Sequence, residues 1–202
     1  KKVDKKKFLA NFIDLRLFGL MYVVKKLVNP FKFTGPVQFT FGQSLNKVES
    51  KTIEITRTVT VGEDKRGGAM GQHTILRYAF LEFLGTINPA AIIDENNLTE
   101  EDIQKMLKGL WHGTNELRTT SKNQASRLLL KINVKDDVLL TDLQSVNTLE
   151  KDECITISDV VLNVENLFYQ LEVYAPSIES IEYKAHPLLK CKYKAYEETS
   201  FS

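Results

Sequence analysis

Apolar side chains recur along this chain at intervals that switch between helical and strand spacing. Phe8, Phe12, Leu15 and Phe18 fall near helical spacing, so a helix is expected to begin within Lys7–Tyr22, with Gly19 weakening its far end. Asn29-Pro30 and Gly35-Pro36 then punctuate a loop. Val37, Phe39 and Phe41 alternate with Gln38 and Thr40, the period of a half-buried strand. Thr52–Val61 is rich in β-branched residues and reads as a second strand. Four of the ten residues Gly62–Gly71 are glycine, which predicts a flexible loop or hairpin tip instead of a regular element. Thr74–Gly85 turns apolar again, and its spacing fits either a strand or a strand running into a short helix.

Thr99 is placed to cap a helix, with Glu100, Glu101 and Asp102 in its positive first turn. Ile103, Met106, Leu107, Leu110 and Trp111 form its apolar stripe, and Gly113 is expected to end it. Arg127–Val134 reads as a strand that pairs with Val138–Leu143 across Asp136-Asp137. Cys154–Ile157 reads as a short strand, a helix is expected from Ser158 or Asp159, and Ile178–Tyr183 as a last strand. The sum is an α+β chain without repeated βαβ units, internal repeats or low-complexity segments.

The chain has 202 residues, 43% hydrophobic and 26% charged, which suffices for a packed core and suggests one domain, with or without an insertion. Its longest apolar runs are far shorter than the ~20 residues of a membrane span, and no secretory signal follows the lysine-rich start, so a cytoplasmic protein with no membrane partner is expected. Cys154 and Cys191 have no metal-ligand spacing and read as two reduced thiols. Charge adds something that the pattern does not. Residues 1–80 hold 15 Lys+Arg against 6 Asp+Glu, and residues 81–202 hold 12 against 20. A basic N-terminal half invites a polyanion, and a basic and an acidic end suit head-to-tail stacking of copies. Equally, halves of a sequence need not be halves of the folded molecule.

The chain carries no GxSxG, Walker lysine loop, HExxH or paired Cys/His cluster, and its three histidines are scattered. No catalytic residue, metal site or cofactor is therefore expected. Three polar stretches stand out instead. Thr34–Lys47 offers Gln38, Gln43, Ser44, Asn46 and Lys47 as donors for phosphates, sugars and base edges. Arg57–His73 combines Arg57, Lys65, Arg66 and Gln72 with glycines, and its Met70 is an apolar tip residue of the kind that wedges between stacked bases. Arg118–Gln124 packs Arg118, Ser121, Lys122 and Gln124 into seven residues. A plain strand and turn, a surface loop and a polar connection account for the same three stretches, because loops are usually polar. The aromatic signature of RNA-recognition motifs is absent.

The same segments resemble a known family. DLRLFG (Asp14–Gly19), TGPVQFTFGQSLNKVE (Thr34–Glu49), ITRT (Ile55–Thr58), GAMG (Gly68–Gly71), LTEEDI (Leu98–Ile103) and LWHGTNELRTTSK (Leu110–Lys122) occur in this order. They are similar to the Cas-seven-type backbone subunits of CRISPR type I Cascade, in the subtype I-B or Csh-two group, over about Phe12–Val134. That resemblance implies a non-catalytic subunit with a ferredoxin-like, RRM-type palm and inserted finger and thumb elements. Residues 1–202 would then be a single RRM-like domain with a thumb hairpin at about 57–73, Met70 at its tip. It implies as partners a CRISPR guide RNA, further copies stacked along it, other Cascade subunits, and target DNA reached through the guide. It also implies a first strand and a basic helix preceding Lys1, hence a longer biological protein. Gln43 and Thr120 stand where relatives often have arginine, which puts a phosphate contact at each in doubt. Two other readings remain: an RNA-cleaving backbone subunit of type III character, and an unrelated α+β protein-interaction module.

Overall fold

A computed structural model describes residues 5–22, 31–57, 69–92, 96–119, 122–135 and 138–193. In chain order the first elements are α1 (Lys5–Asn11), α2 (Ile13–Phe18), β1 (Gly19–Tyr22), β2 (Phe31–Thr34), β3 (Val37–Phe39), β4 (Gln43–Ser44), β5 (Ser50–Arg57), β6 (Ala69–Leu76), β7 (Leu81–Glu82) and β8 (Gly85–Ile87). There follow α3 (Glu100–Glu116), β9 (Arg118–Thr119), β10 (Lys122–Asn123), β11 (Leu128–Val134), β12 (Thr148–Leu149), β13 (Val161–Asn163), α4 (Glu165–Val173), β14 (Ile178–Ala185) and β15 (Lys190–Lys192). The mixed α+β character expected from periodicity is present, in sheets of two or three strands among the described residues.

The chain divides into two compact units, residues 1–42 with 83–126 and residues 43–82 with 127–202. In the first, Leu17, Val37, Ile103 and Met106 form a buried cluster against which Ile13, Leu98, Leu107 and Leu110 pack. The single helix expected in Lys7–Tyr22 is two short ones. Phe12 takes an extended conformation between them, and Gly19, at φ 91°, ends the second and starts β1. Glycine is required there. A Cβ on Gly19 would stand 2.4 Å from the Gly35 nitrogen, and one on Gly35 would stand 2.3 Å from the Leu17 carbonyl oxygen.

Thr99 caps α3 as its sequence predicts: its hydroxyl accepts from the Asp102 amide at 3.2 Å, while the Asp102 carboxylate accepts from the Thr99 amide at 3.2 Å. The same carboxylate receives Arg16 Nε at 3.0 Å and Nη2 at 2.7 Å. Arg16 Nη1 in turn donates to the Leu9 and Ala10 carbonyls in the last turn of α1. One ion pair therefore satisfies orphaned backbone groups at the end of α1 and side-chain valences at the start of α3. The helix does not stop at Gly113. It continues to Glu116, with Thr114 donating to the Leu110 carbonyl and Asn115 to that of Trp111. Glycine is tolerated in its interior because the buried stripe outweighs about 1 kcal/mol of lost propensity.

In the second unit, β5 and β6 form an antiparallel hairpin with eight paired positions, from Ser50↔Leu76 to Arg57↔Ala69. Ala69, Met70 and Gly71 thus belong to a strand and not to the glycine-rich loop expected over Gly62–Gly71, because cross-strand backbone bonds outweigh glycine's preference for turns. Residues 58–68, with Lys65 and Arg66, lie outside the described residues. The expected pairing of Arg127–Val134 with Val138–Leu143 is also corrected. β11 pairs with β14, Leu128↔Ala185 through Val134↔Ile178, and Leu140 and Leu143 instead pack on the buried cluster of Val146, Leu167 and Leu171. Asp136 and Asp137 lie outside the described residues. Cys154–Ile157 is not a strand: the Asp159 carboxylate gathers the Ile155 and Thr156 amides and the Thr156 hydroxyl into a tight turn. The helix expected from Ser158 or Asp159 begins only at Glu165, because Val161–Asn163 is the central strand between β12 and parallel β15. Val160, Leu162 and Val164, 0%, 3% and 6% exposed, alternate with half-buried Val161 and Asn163, so they share one buried face at the two-residue period of a strand. Thr74–Gly85 contains no helix.

Candidate nucleic-acid interface

Thr34–Lys47 runs from the first unit into the second at residues 42 and 43. In the first unit, exposed Gln38 on β3 donates through Nε2 to the Gly35 carbonyl at 3.0 Å. In the second, exposed Gln43 accepts through Oε1 from the Ser145 hydroxyl. Ser44 donates to the carbonyl and side-chain oxygens of Asn46. Asn46 is only 5% exposed: its Oδ1 accepts from the Phe80 amide at 2.7 Å and its Nδ2 donates to the Lys47 carbonyl at 2.9 Å. The geometry makes Asn46 the post that supports this turn. Replacing Asn46 with alanine strands the Phe80 amide and is expected to lower stability by about 1–3 kcal/mol. Chemical denaturation checks this. Lys47, anchored through its backbone amide to the Asp152 carbonyl, holds an exposed Nζ 3.9 Å from Glu153. So exposed a pair is weak, and a phosphate can compete for it.

On the β5–β6 hairpin, Gln72 is exposed opposite Glu54. Arg57 and Met70 sit at the last and next-to-last paired positions, opposite Ala69 and Thr56. Met70 is therefore inside the ladder and not at the tip; its side chain and that of Arg57 lie outside the described residues. In the first unit, Arg118 and Lys122 are exposed on the β9–β10 ribbon, paired with Asn123 and Thr119. Ser121 lies outside the described residues. Gln124 reaches an open groove of about 560 Å³ that Leu17, Phe18, Met106 and Leu110 line. Gly109 and Gly113 keep the α3 side of that groove open, since a Cβ on either would meet no atom within 4 Å.

Charge divides between the units. The first holds 13 Lys+Arg against 8 Asp+Glu, and the second 14 against 18, for net charges of +5 and −4. The polarity of the sequence thus persists in the folded units at about half its linear size, because residues 43–82 leave the basic part while residues 83–126, with 4 Lys+Arg against 6 Asp+Glu, join it. The spacing of polar residues missed a second feature: Phe39, Phe41 and Phe83 are 41%, 96% and 59% exposed. Phe39 and Phe41 looked like the buried face of a strand. Among the described residues no three His, Cys, Asp or Glu gather into a metal-binding group, and no helix is long and apolar enough to cross a membrane.

Comparison with known proteins gives one family, described as "CRISPR-associated protein Cas7", which matches residues 1–165. A curated relative of that description from Haloferax volcanii is 25% identical over 162 residues, covering 75% of this chain and 47% of its own length. The chain thus spans about half the length of that relative. A solved chain titled "CRISPR RNA-guided surveillance complex, pre-nicking" aligns over 92% of this chain and 53% of its own, with a TM-score of 0.47 and 12% identity.

Proposed function

The chain belongs to the CRISPR-associated Cas7 family, and from that membership we propose that it is a guide-RNA-binding, non-catalytic backbone subunit of a surveillance complex. The family match over residues 1–165 carries this reading. The +5 charge of the first unit and the exposed cations Arg118, Lys122 and Lys47 support it, since phosphate neutralisation supplies most of the affinity of sequence-tolerant RNA binding. The finer reading is a cytoplasmic type I-B Cascade subunit. Copies stack along one CRISPR RNA beside other Cascade subunits, and target DNA is engaged through the guide. In that reading the protein has a ferredoxin-like, RRM-type palm, and the segment about 57–73 is the thumb.

Gln38, Gln43, Ser44, Lys47, Arg57, Lys65, Arg66, Met70, Gln72, Arg118, Ser121, Lys122 and Gln124 are the proposed RNA contacts, and Asn46 shapes the turn that presents its neighbours. Binding to a guide-length RNA, followed by fluorescence anisotropy across salt concentrations, tests the proposal. The expected result is a linear fall of log K with log salt, by ~0.7 per phosphate neutralised, nearly the same for RNAs of unrelated sequence. No binding in dilute buffer would sink it.

A further inference from the structure

Four phenylalanines of the first unit are exposed around the end of the β3–β8 ribbon. The β3–β8 ladder closes at Phe39↔Gly85, and the β4–β7 ladder opens at Gln43↔Glu82. Between them one strand has Thr40, Phe41 and Gly42 and the other only Phe83 and Leu84, so one strand carries one residue too many. The Thr40 amide donates to the Leu84 carbonyl at 2.9 Å, and the Leu84 amide donates to the Thr40 hydroxyl at 3.2 Å. That rung places the surplus at Phe41–Gly42, opposite Phe83. A surplus of this kind is a β-bulge, which re-aims the side chain beside it. Phe41 departs accordingly from the alternation that predicted its burial and is 96% exposed.

The neighbouring rings are held in place. The Phe83 ring lies over Gly42, where a Cβ would meet its Cε1 at 2.5 Å, and the Phe39 ring lies over Gly85, where a Cβ would meet its Cε1 at 2.6 Å. Phe39 also packs on Phe18, with ring centroids 6.3 Å apart at a 49° tilt. Two glycines thus make seats for two rings that still keep 41% and 59% of their surface exposed. Phenylalanine is among the residues most often buried, so an exposed group of rings marks an interaction surface.

Resting on the RNA-binding reading above, we propose that Phe41 and Phe83 form a platform on which unpaired bases of the bound strand stack. Charge favours this occupant over a symmetric pairing of copies: the rings belong to the unit with net charge +5, which attracts a phosphate-bearing strand and repels the same face of a second copy. Along the strand polar Thr40 separates Phe41 from Phe39, unlike the continuous apolar centre of a protein–protein interface. Stacking tolerates any base, as a structural guide-binding subunit requires.

Fluorescence anisotropy with the whole chain compares a single-stranded RNA with an abasic strand of equal length and charge. The wild type is expected to prefer the base-bearing strand by roughly 5- to 100-fold. Phe41→Ala and Phe83→Ala each lose much of that preference while keeping the salt slope, and Phe41→Trp retains it. Phe41 is nearly fully exposed, so its replacement leaves folding intact. If the wild type binds neither strand, the RNA-binding reading fails and the platform with it. If the wild type binds RNA but both alanine variants discriminate against the abasic strand as it does, the platform alone is overturned. Loss of RNA-free self-association in Phe41→Ala, with base preference unchanged, likewise overturns it in favour of an interface between copies.

Discussion

Replacing Asp102 with alanine is expected to destabilise the first unit by about 3–5 kcal/mol, the usual effect of removing one partner from a buried ion pair. The side chains of Arg16 and Asp102 are 14% and 6% exposed, and the pair is joined by two parallel hydrogen bonds. The substitution leaves the guanidinium of Arg16 buried without a counter-charge and removes half of the capping box at Thr99. Arg16→Ala together with Asp102→Ala should recover part of the loss, because no isolated charge remains; urea denaturation of the four proteins measures the coupling. The sign of the pH dependence follows from the carboxylate. The Arg16 hydrogen bonds, helped by Thr99 and opposed by burial, hold Asp102 below its ordinary 3.8. Its stabilisation is therefore complete above pH 3.8 and is lost as pH falls from there through the depressed value. The gap in stability between wild type and Asp102→Ala should narrow over that range; a gap that stays constant on acidification would contradict the assignment.

The triple replacement of Lys47, Arg57 and Lys122 with alanine is expected to weaken guide-RNA binding on the order of 100-fold near 0.1 M salt, since each single-strand phosphate contact contributes ~0.7 to the salt slope. Lys47 and Lys122 are exposed, and the ion pair of Lys47 with Glu153 is long, so their loss leaves folding nearly untouched. The slope of log K against log salt should fall by about 2 relative to wild type. A triple variant with unchanged slope would show that these cations face away from the strand, and would redirect the search to Arg118 and the lysines of α1. The outcome is separable from that at Phe41, where base preference changes and slope does not.

Legibility differed from segment to segment for physical reasons. The capped helix from Thr99 was visible because Thr99, the acidic first turn and the stripe Ile103–Trp111 are all local, and local signals agree there with the packing. The strand at Val37 was visible too, but its end at Phe39, short of the expected Phe41, was not, because the bulge is a register mismatch between two distant strands. Val138–Leu143 looked like the hairpin partner of β11 on spacing and proximity. The strand that claims β11 lies more than forty residues further on, and no local signal announces it. Among the candidate contacts, residue type indicated polarity but not direction. Asn46 looked as available as Lys47, yet it is the one turned inward to hold the Phe80 amide.

The order of residues alone determined the α+β class, the capped third helix, the charge polarity and the motifs that place the chain in its family, since each depends on neighbours within a few positions or on simple counts. Which strands pair, where the bulge falls, which amide is buried and which rings stand in water were decided only by the tertiary structure. These depend on contacts between residues far apart in the chain, and the free energy of such a contact is set by the partner as much as by the residue itself.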